Sequence, residues 1–116
     1  MEPKKRLVTV TDAPLIRIHE NEWPQVASGS AIEGRAKVEI YIYKHRDGRS
    51  LVWGKCEAAS SVTEAGRLLA PSTVRCELVM AICGVAEDLV ARMPAARRQI
   101  ALAADNVMTP IPARDL

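Results

Sequence analysis

The sequence predicts an α/β domain in which several strands are followed by a long helix and then by one further strand. Two patterns carry this prediction. Apolar and polar residues alternate over 38–43, as in a strand with one buried face. Further along, apolar residues recur at steps of three and four between 74 and 93, which is the pattern of one buried helix face. The first half of the chain therefore favours a sheet, and the second half favours helix.

Composition and charge indicate one ordinary globular domain, which we predict to span 15–107. The 116 residues are 48% hydrophobic and 26% charged, which is typical of a folded protein. The formal net charge of +2 is too small to imply nucleic-acid binding by itself. The three cysteines fit no zinc or redox motif, and we expect neither a signal peptide nor a membrane span. These features predict a cytoplasmic protein with reduced thiols.

The N-terminal third is predicted to contain a basic arm, one strand and a loop. Residues 1–14 include three consecutive basic residues and form the arm. Residues 15–19 alternate in part and predict a short strand, which ends before Trp23 and Pro24. Residues 27–34 are rich in Ser, Gly and Ala, and they predict a loop.

A hairpin is predicted around Asp47 and Gly48, because both positions of a two-residue turn must accept a positive φ. The returning strand covers 50–57. This turn pairs Ile42 with Trp53, so large apolar side chains would lie on both faces of the hairpin near its tip. The sheet must then be covered on both faces, or one face must be a contact surface.

The second half is predicted to contain two helices, a strand and a tail. Residues 61–64 have the spacing of a capping box, which predicts a short helix over 62–70. The long helix should span about 73–92, and a short buried strand should cover 99–104. Residues 108–116 contain two prolines and predict an extended tail.

Residues 75–82 resemble the start of the first long helix of the ribonuclease H family, which carries Arg, then Glu, Leu, Met, Ala and Ile. Residues 100–106 resemble the family's fourth strand, which ends on an acidic residue followed by a small polar one. The hairpin over 34–56 would correspond to the second and third strands, and 15–20 to the first. The resemblance implies three antiparallel strands and a right-handed crossover through the long helix to a parallel fourth strand.

The same resemblance implies a metal-dependent phosphodiester hydrolase that acts on RNA or on an RNA–DNA hybrid. Glu20, Glu77 and Asp105 would be its catalytic carboxylates, and Glu77 and Asp105 would bind Mg²⁺. Metal ions held by carboxylates can activate water and stabilise the leaving oxygen. The chain departs from the family at Glu20, where the family has Asp followed by Gly and Ser. The family's last catalytic acid has no counterpart in a predicted strand after Asp105.

The alternative is a catalytically silent module of similar fold that binds a partner protein or nucleic acid. Glu77 can be a first-turn acid favoured by the helix dipole, and Asp105 can belong to a turn. Aromatic and basic residues interleave on the hairpin as they do on nucleic-acid surfaces. These candidate nucleic-acid-binding residues are Tyr41, Tyr43, Lys44, Arg46, Arg49, Trp53 and Lys55. A solvated hairpin tip whose charges block edge-to-edge pairing explains the same residues.

Self-association is predicted from the strand over 99–104. That strand would lie near a sheet edge with little covering it, and an uncovered edge is a template for pairing with another chain. A homodimer is the simplest closed form of such pairing. The alternative is that 1–12 and 107–116 fold back over the sheet and keep the protein monomeric.

Overall fold

Four antiparallel strands in chain order form the main sheet of the described chain, and two helices follow it. The computed structural model describes residues 21–58 and 61–108 in full, together with the backbone of 5–8 and 16–19. A separate antiparallel pair comes first and consists of β1 (Lys5–Val8) and β2 (Ile16–His19). The main sheet consists of β3 (Gln25–Glu33), β4 (Ala36–Lys44), β5 (Ser50–Ala58) and β6 (Ser61–Leu69). The helical part consists of α1 (Arg75–Arg92), a 3₁₀ turn (Pro94–Ala96) and α2 (Arg97–Val107).

The predicted α/β fold with a parallel fourth strand is wrong, because every strand pair in the described chain is antiparallel. The segment expected to form that strand, 99–104, lies in α2. Its buried residues Ile100, Ala103 and Ala104 recur at steps of three and four, which is the helical period, and its alanines favour helix. The protein therefore has a small α+β fold, with helices packed on one antiparallel sheet.

Strand β6 stands where a short helix was predicted over 62–70, so that prediction is wrong. β6 pairs with β5 along its full length, from Ala58 opposite Ser61 to Ser50 opposite Leu69. The Ser61 hydroxyl donates a hydrogen bond of 3.0 Å to the carbonyl of Ala58 and does not cap a helix. The two residues that follow Ser61 are β-branched, and they favour the extended strand over the helix.

The loop predicted over 27–34 is also wrong, because this segment forms most of β3. Its small residues allow helix packing: a Cβ on Gly29 would lie 2.3 Å from the carbonyl oxygen of Ala103 in α2. No side chain fits at that distance, so the strand and the helix approach closely only because residue 29 is glycine. Asn106 donates a hydrogen bond of 3.2 Å from Nδ2 to the carbonyl of Ser30, and this bond joins α2 to the same strand.

The predicted turn at Asp47 and Gly48 is confirmed, although the loop is longer than two residues. The N–H of His45 donates to the carbonyl of Arg49 at 2.9 Å, and the N–H of Gly48 donates to the carbonyl of His45 at 2.9 Å. Gly48 has a φ of 98°, which glycine adopts without strain. The loop is thus the three-residue type in which a turn is followed by a residue of left-handed conformation.

The extra loop residue changes the register of the hairpin. Ile42 lies opposite Val52 and Tyr41 lies opposite Trp53, so the predicted pair of Ile42 and Trp53 is wrong. Directly opposed residues share a face of the sheet. The two β-branched side chains therefore belong to the core under the helices, and the two aromatic side chains belong to a second cluster on the other face. Large apolar groups do lie on both faces, as the sequence predicted.

The predicted long helix is confirmed as α1, which begins at Arg75 rather than near residue 73. Its residues Ile82, Val85 and Leu89 are buried against the sheet, as predicted. Gly54 of β5 makes room for them, because a Cβ there would lie 2.7 Å from Leu89 and 2.8 Å from Val85. α1 packs on β5 and β6, and α2 packs on β3 and β4, so the two helices together cover one face of the main sheet.

Both ends of the chain fall mainly outside the described residues. The strand predicted over 15–19 is confirmed as β2, which pairs with β1. The rest of the predicted arm over 1–14, and the predicted tail from residue 109 to 116, lie outside the part that the structure describes. None of the described helices is long and apolar enough to cross a membrane.

Candidate functional site

The face of the main sheet that the two helices do not cover, which we call the open face, carries an aromatic cluster whose side chains are mostly buried. Its members are Trp23, Tyr41, Tyr43, Leu51, Trp53 and Leu68. The rings of Tyr41 and Trp53 are stacked, with centroids 5.5 Å apart and planes inclined by 27°. The Tyr43 ring lies 6.0 Å from Tyr41 and 6.2 Å from Trp53. These spacings are favourable for aromatic pairs, so the cluster holds its rings in fixed positions.

Charged residues continue the open face beyond the aromatic cluster. Glu39 on β4, Lys55 on β5 and Glu64 on β6 are directly opposed in register and form a row across three strands. With the adjacent rings of Tyr41 and Trp53 they line an open pocket of about 380 Å³, which we call the sheet pocket. This volume is at the small end of the range for ligand sites and suits one side chain of a partner molecule.

Ion pairs on the open face involve Glu39 and Glu57, but they do not involve Glu64 of the sheet pocket. The Nζ atom of Lys55 is 2.7 Å from Oε1 of Glu57, and this hydrogen bond raises the pKa of Lys55 and lowers the pKa of Glu57. The Nζ atom of Lys37 is 3.6 Å from Oε1 of Glu39. Glu64 forms no ion pair among the described residues, and it adds only a Coulomb attraction to Lys55.

The aromatic residues predicted to bind nucleic acid are mostly part of the fold's interior. Tyr43 and Trp53 are each only 3% exposed, so their faces are not free to stack on bases. Tyr41 and Lys55 are half-buried and line the sheet pocket. Four of the predicted residues therefore lie on one face of the sheet, but two of them, Tyr43 and Trp53, belong to the core. The other two are Tyr41 and Lys55.

The basic residues predicted at the hairpin tip have different surroundings. The guanidinium carbon of Arg49 lies 5.1 Å from the ring centroid of Trp23, and its Nε is 2.6 Å from the carboxylate of Asp47. The backbone N–H of Arg49 also donates to Asp47 at 3.0 Å, which is the largest cause of the lowered pKa of that carboxyl. Lys44 and Arg46 are exposed. Arg49 thus stabilises the loop, while the other two remain available to solvent.

The structure describes two of the three predicted catalytic acids, and both lie exposed on helices. Glu20 lies outside the described residues. Glu77 is exposed in the first turn of α1, and Asp105 is exposed in α2 rather than at the end of a strand. The end of α2 meets α1 where Met108 contacts Cys83, six residues or roughly 9 Å along the helix from Glu77. In the described part of the chain, no three His, Cys, Asp or Glu side chains form a group that could hold a metal ion.

Two acids of the sheet pocket, Glu39 and Glu64, were not among the predicted site residues. The alternation over 38–43 carries the signal for Glu39, because it places this residue on the same face as Tyr41. No comparable signal identified Glu64, since the segment that contains it was predicted to be a helix. Only the pairing of β5 with β6 places Glu64 beside Lys55.

Comparison with known proteins identifies no relative: no family model, no curated protein and no solved structure matches this chain.

Proposed function

We propose that this chain is a non-catalytic cytoplasmic module that binds a partner protein by receiving a cationic side chain in the sheet pocket. The single observation that carries the proposal is the position of Glu64. Its carboxylate lines the pocket beside two aromatic rings, and it forms no ion pair with the chain's own described cations. A carboxylate held beside aromatic rings is complementary to an ammonium or guanidinium group.

The chemistry of the pocket suits a cation that approaches from solvent. Such a group would meet the carboxylates of Glu39 and Glu64 and the half-buried ring of Tyr41. The ammonium of Lys55 lines the same pocket, and its charge is offset by the ion pair with Glu57. A cation over an aromatic face gains roughly 0.5–1 kcal/mol at exposed sites, and more where water is excluded. An arginine or lysine side chain of a partner can make both kinds of contact at once.

A partner protein is favoured over nucleic acid by the charge of the open face. Beyond the aromatic cluster, the described strands β4, β5 and β6 place two ammonium groups and three carboxylates on this face, a net charge of −1, from Lys37, Lys55, Glu39, Glu57 and Glu64. Nucleic-acid binding depends on cations that neutralise phosphates, and a negative surface opposes it.

The hydrolase and its Mg²⁺ stay predictions that we do not carry into this proposal, because no three described His, Cys, Asp or Glu side chains form a group that could hold a metal ion. The homodimer also stays a prediction, and the edge strand that motivated it is part of α2. A cytoplasmic location is supported by the three cysteines, which are all free thiols.

The proposal is tested with an arginine-containing peptide, the same peptide with citrulline in place of arginine, and a single-stranded RNA. Citrulline keeps the shape of the arginine side chain and removes its charge. In amide NMR spectra of the protein, the arginine peptide should shift the signals of Glu39, Lys55 and Glu64, and the citrulline peptide should not. Equal shifts with both peptides, shifts with RNA alone, or no shifts in the sheet pocket would contradict the proposal.

A further inference from the structure

Strand β3 forms one edge of the main sheet, and within the described chain it has a strand neighbour on one side only. The two-residue turn of Gly34 and Arg35 joins it to β4. In such a hairpin every second residue, counted from the last residue of β3, bonds to β4. The residues in between, Ser28, Ser30 and Ile32, therefore direct their backbone N–H and C=O groups away from the sheet.

The carbonyl of Ser30 is in agreement with this direction. It accepts a hydrogen bond of 3.2 Å from Nδ2 of Asn106, which lies in α2 and not in the sheet. A carbonyl oxygen has two lone pairs, so this bond leaves room for a second donor. An edge of outward-facing backbone groups is a template for a further strand.

Apolar side chains border the β3 edge. Val26 and Ile32 are 57% and 70% exposed, near the two ends of the strand. Leu102 of α2 is 48% exposed, and it shares a side of the helix with Gln99 and Asn106, which both bond to β3. Three of the six exposed large apolar side chains of the described chain thus lie around this one edge.

The sequence of β3 is nearly the same when it is read in either direction from Gly29. Residues at equal distances on its two sides match in kind: Ser28 with Ser30, Ala27 with Ala31, Val26 with Ile32, and Gln25 with Glu33. A two-fold axis at the central residue of a strand pairs these same positions in two antiparallel copies. The one charged residue, Glu33, then meets a neutral amide, so no like charges are opposed.

We propose that β3 pairs with β3 of a second copy of this chain, antiparallel and centred on Gly29. Ser28 of one copy exchanges backbone hydrogen bonds with Ser30 of the other, and Val26 packs against Ile32. The two main sheets become one continuous sheet, and both sheet pockets lie on the same face of it. This interface differs from the one predicted from the sequence, and it does not rest on the proposed cation site.

Strand β6, the other edge of the main sheet, offers no such match. A two-fold axis at its central residue, Ala65, would place Thr63 opposite Arg67 and Glu64 opposite Gly66. β6 also contacts β1. The β3 interface itself is small, and interfaces below about 1,200 Å² belong to weak complexes. We therefore expect a reversible dimer that dissociates on dilution.

Sedimentation velocity of the full chain, over concentrations from about 10 µM to about 1 mM, is the first test. The average mass should rise with concentration from 12.7 kDa towards twice that value. Ile32→Lys should weaken dimerisation about tenfold or more, because it removes both apolar contacts with Val26 and puts charges on the paired edge. Val62→Lys is the matched control and should dimerise as the wild type does. Val62 is 57% exposed and ends the same row of the sheet as Ile32, on the opposite edge.

Amide hydrogen exchange tests the pairing without any substitution. The N–H groups of Ser28 and Ser30 should exchange more slowly at high protein concentration than at low, and the N–H of Glu64 on β6 should not. A constant mass of 12.7 kDa, equal dimerisation of Ile32→Lys and Val62→Lys, or exchange at both serines that does not depend on concentration would each overturn the proposal. Circular dichroism of the two variants verifies that they keep the fold.

Discussion

Lys55 and Glu64 lie directly opposite each other on β5 and β6, yet the ammonium of Lys55 is 2.7 Å from the carboxylate of Glu57 on its own strand. Strand pairing thus places Lys55 opposite the acid Glu64, but the ammonium of Lys55 forms its ion pair with Glu57 instead. As a result the wall of the sheet pocket holds a carboxylate, that of Glu64, which forms no ion pair among the described residues. A cationic side chain of the proposed partner would form the ion pair that Glu64 lacks.

Shortening the side chain at Leu89 should destabilise the protein strongly. Leu89 is wholly buried between α1 and the sheet, so Leu89→Ala leaves a cavity and should lower the free energy of unfolding by about 2–5 kcal/mol. Leu102→Ala is the control, because Leu102 is 48% exposed on α2 and should cost far less. Urea denaturation measures both. Similar losses in the two variants would mean that the core is not where the structure places it.

Adding one methyl group at Gly29 should also destabilise the fold. The new Cβ would meet the carbonyl oxygen of Ala103 at 2.3 Å, so α2 must move away from β3. Overpacking of this kind costs about 1–3 kcal/mol. Ser28→Ala, at the exposed neighbouring position, should change stability by less than about 0.5 kcal/mol. If Gly29→Ala unfolds at the wild-type urea concentration, the close contact between strand and helix does not exist.

The loop of the β4–β5 hairpin should make stability depend on acid pH through Asp47. Hydrogen bonds from Arg49 hold the pKa of the Asp47 carboxyl below its ordinary value of 3.8, so the folded protein binds this proton less readily than the unfolded chain. The resulting stabilisation is present above about pH 4 and is lost as the pH falls through the folded pKa. Asp47→Asn should therefore narrow the difference in stability between neutral and acidic pH. A titration of Asp47 by carboxyl NMR with a pKa at or above 3.8 would rule this out.

The sequence predicted those elements whose patterns are local and unambiguous. Strand β4 alternates, α1 has a single apolar face, and the loop near Gly48 needs a residue that accepts positive φ. All three patterns survive in the structure. They place Tyr41 on the face opposite to Ile42, and they place Ile82 and Leu89 in the core. The two-residue turn predicted from the sequence would have paired Lys55 with Ile40, so the face of Lys55 was not predicted.

The wrong predictions share one cause: contacts between elements that are distant in sequence outweigh the local sequence pattern. β3 looks like a loop because it contains Gly29, and the absence of a side chain there is what lets α2 approach the strand closely. β6 carries a capping-box spacing at Ser61, but pairing with β5 outweighs that local signal. Residues 99–104 are short and apolar, and periodicity alone does not separate a buried strand from a buried helix in such a run. Glu64 could not be assigned to the site until β6 was known to be a strand.

The affinity of Glu64→Gln for the arginine peptide tests the central claim most directly. Glu87→Gln, at an exposed position on α1, makes the same change in net charge away from the sheet pocket and serves as the control. We predict that Glu64→Gln binds the peptide about tenfold more weakly than wild type, or ~1.4 kcal/mol, because a charged hydrogen-bond partner is lost. Glu87→Gln should bind as the wild type does. Equal affinity of Glu64→Gln and Glu87→Gln for the peptide would contradict the claim that the sheet pocket receives a cation.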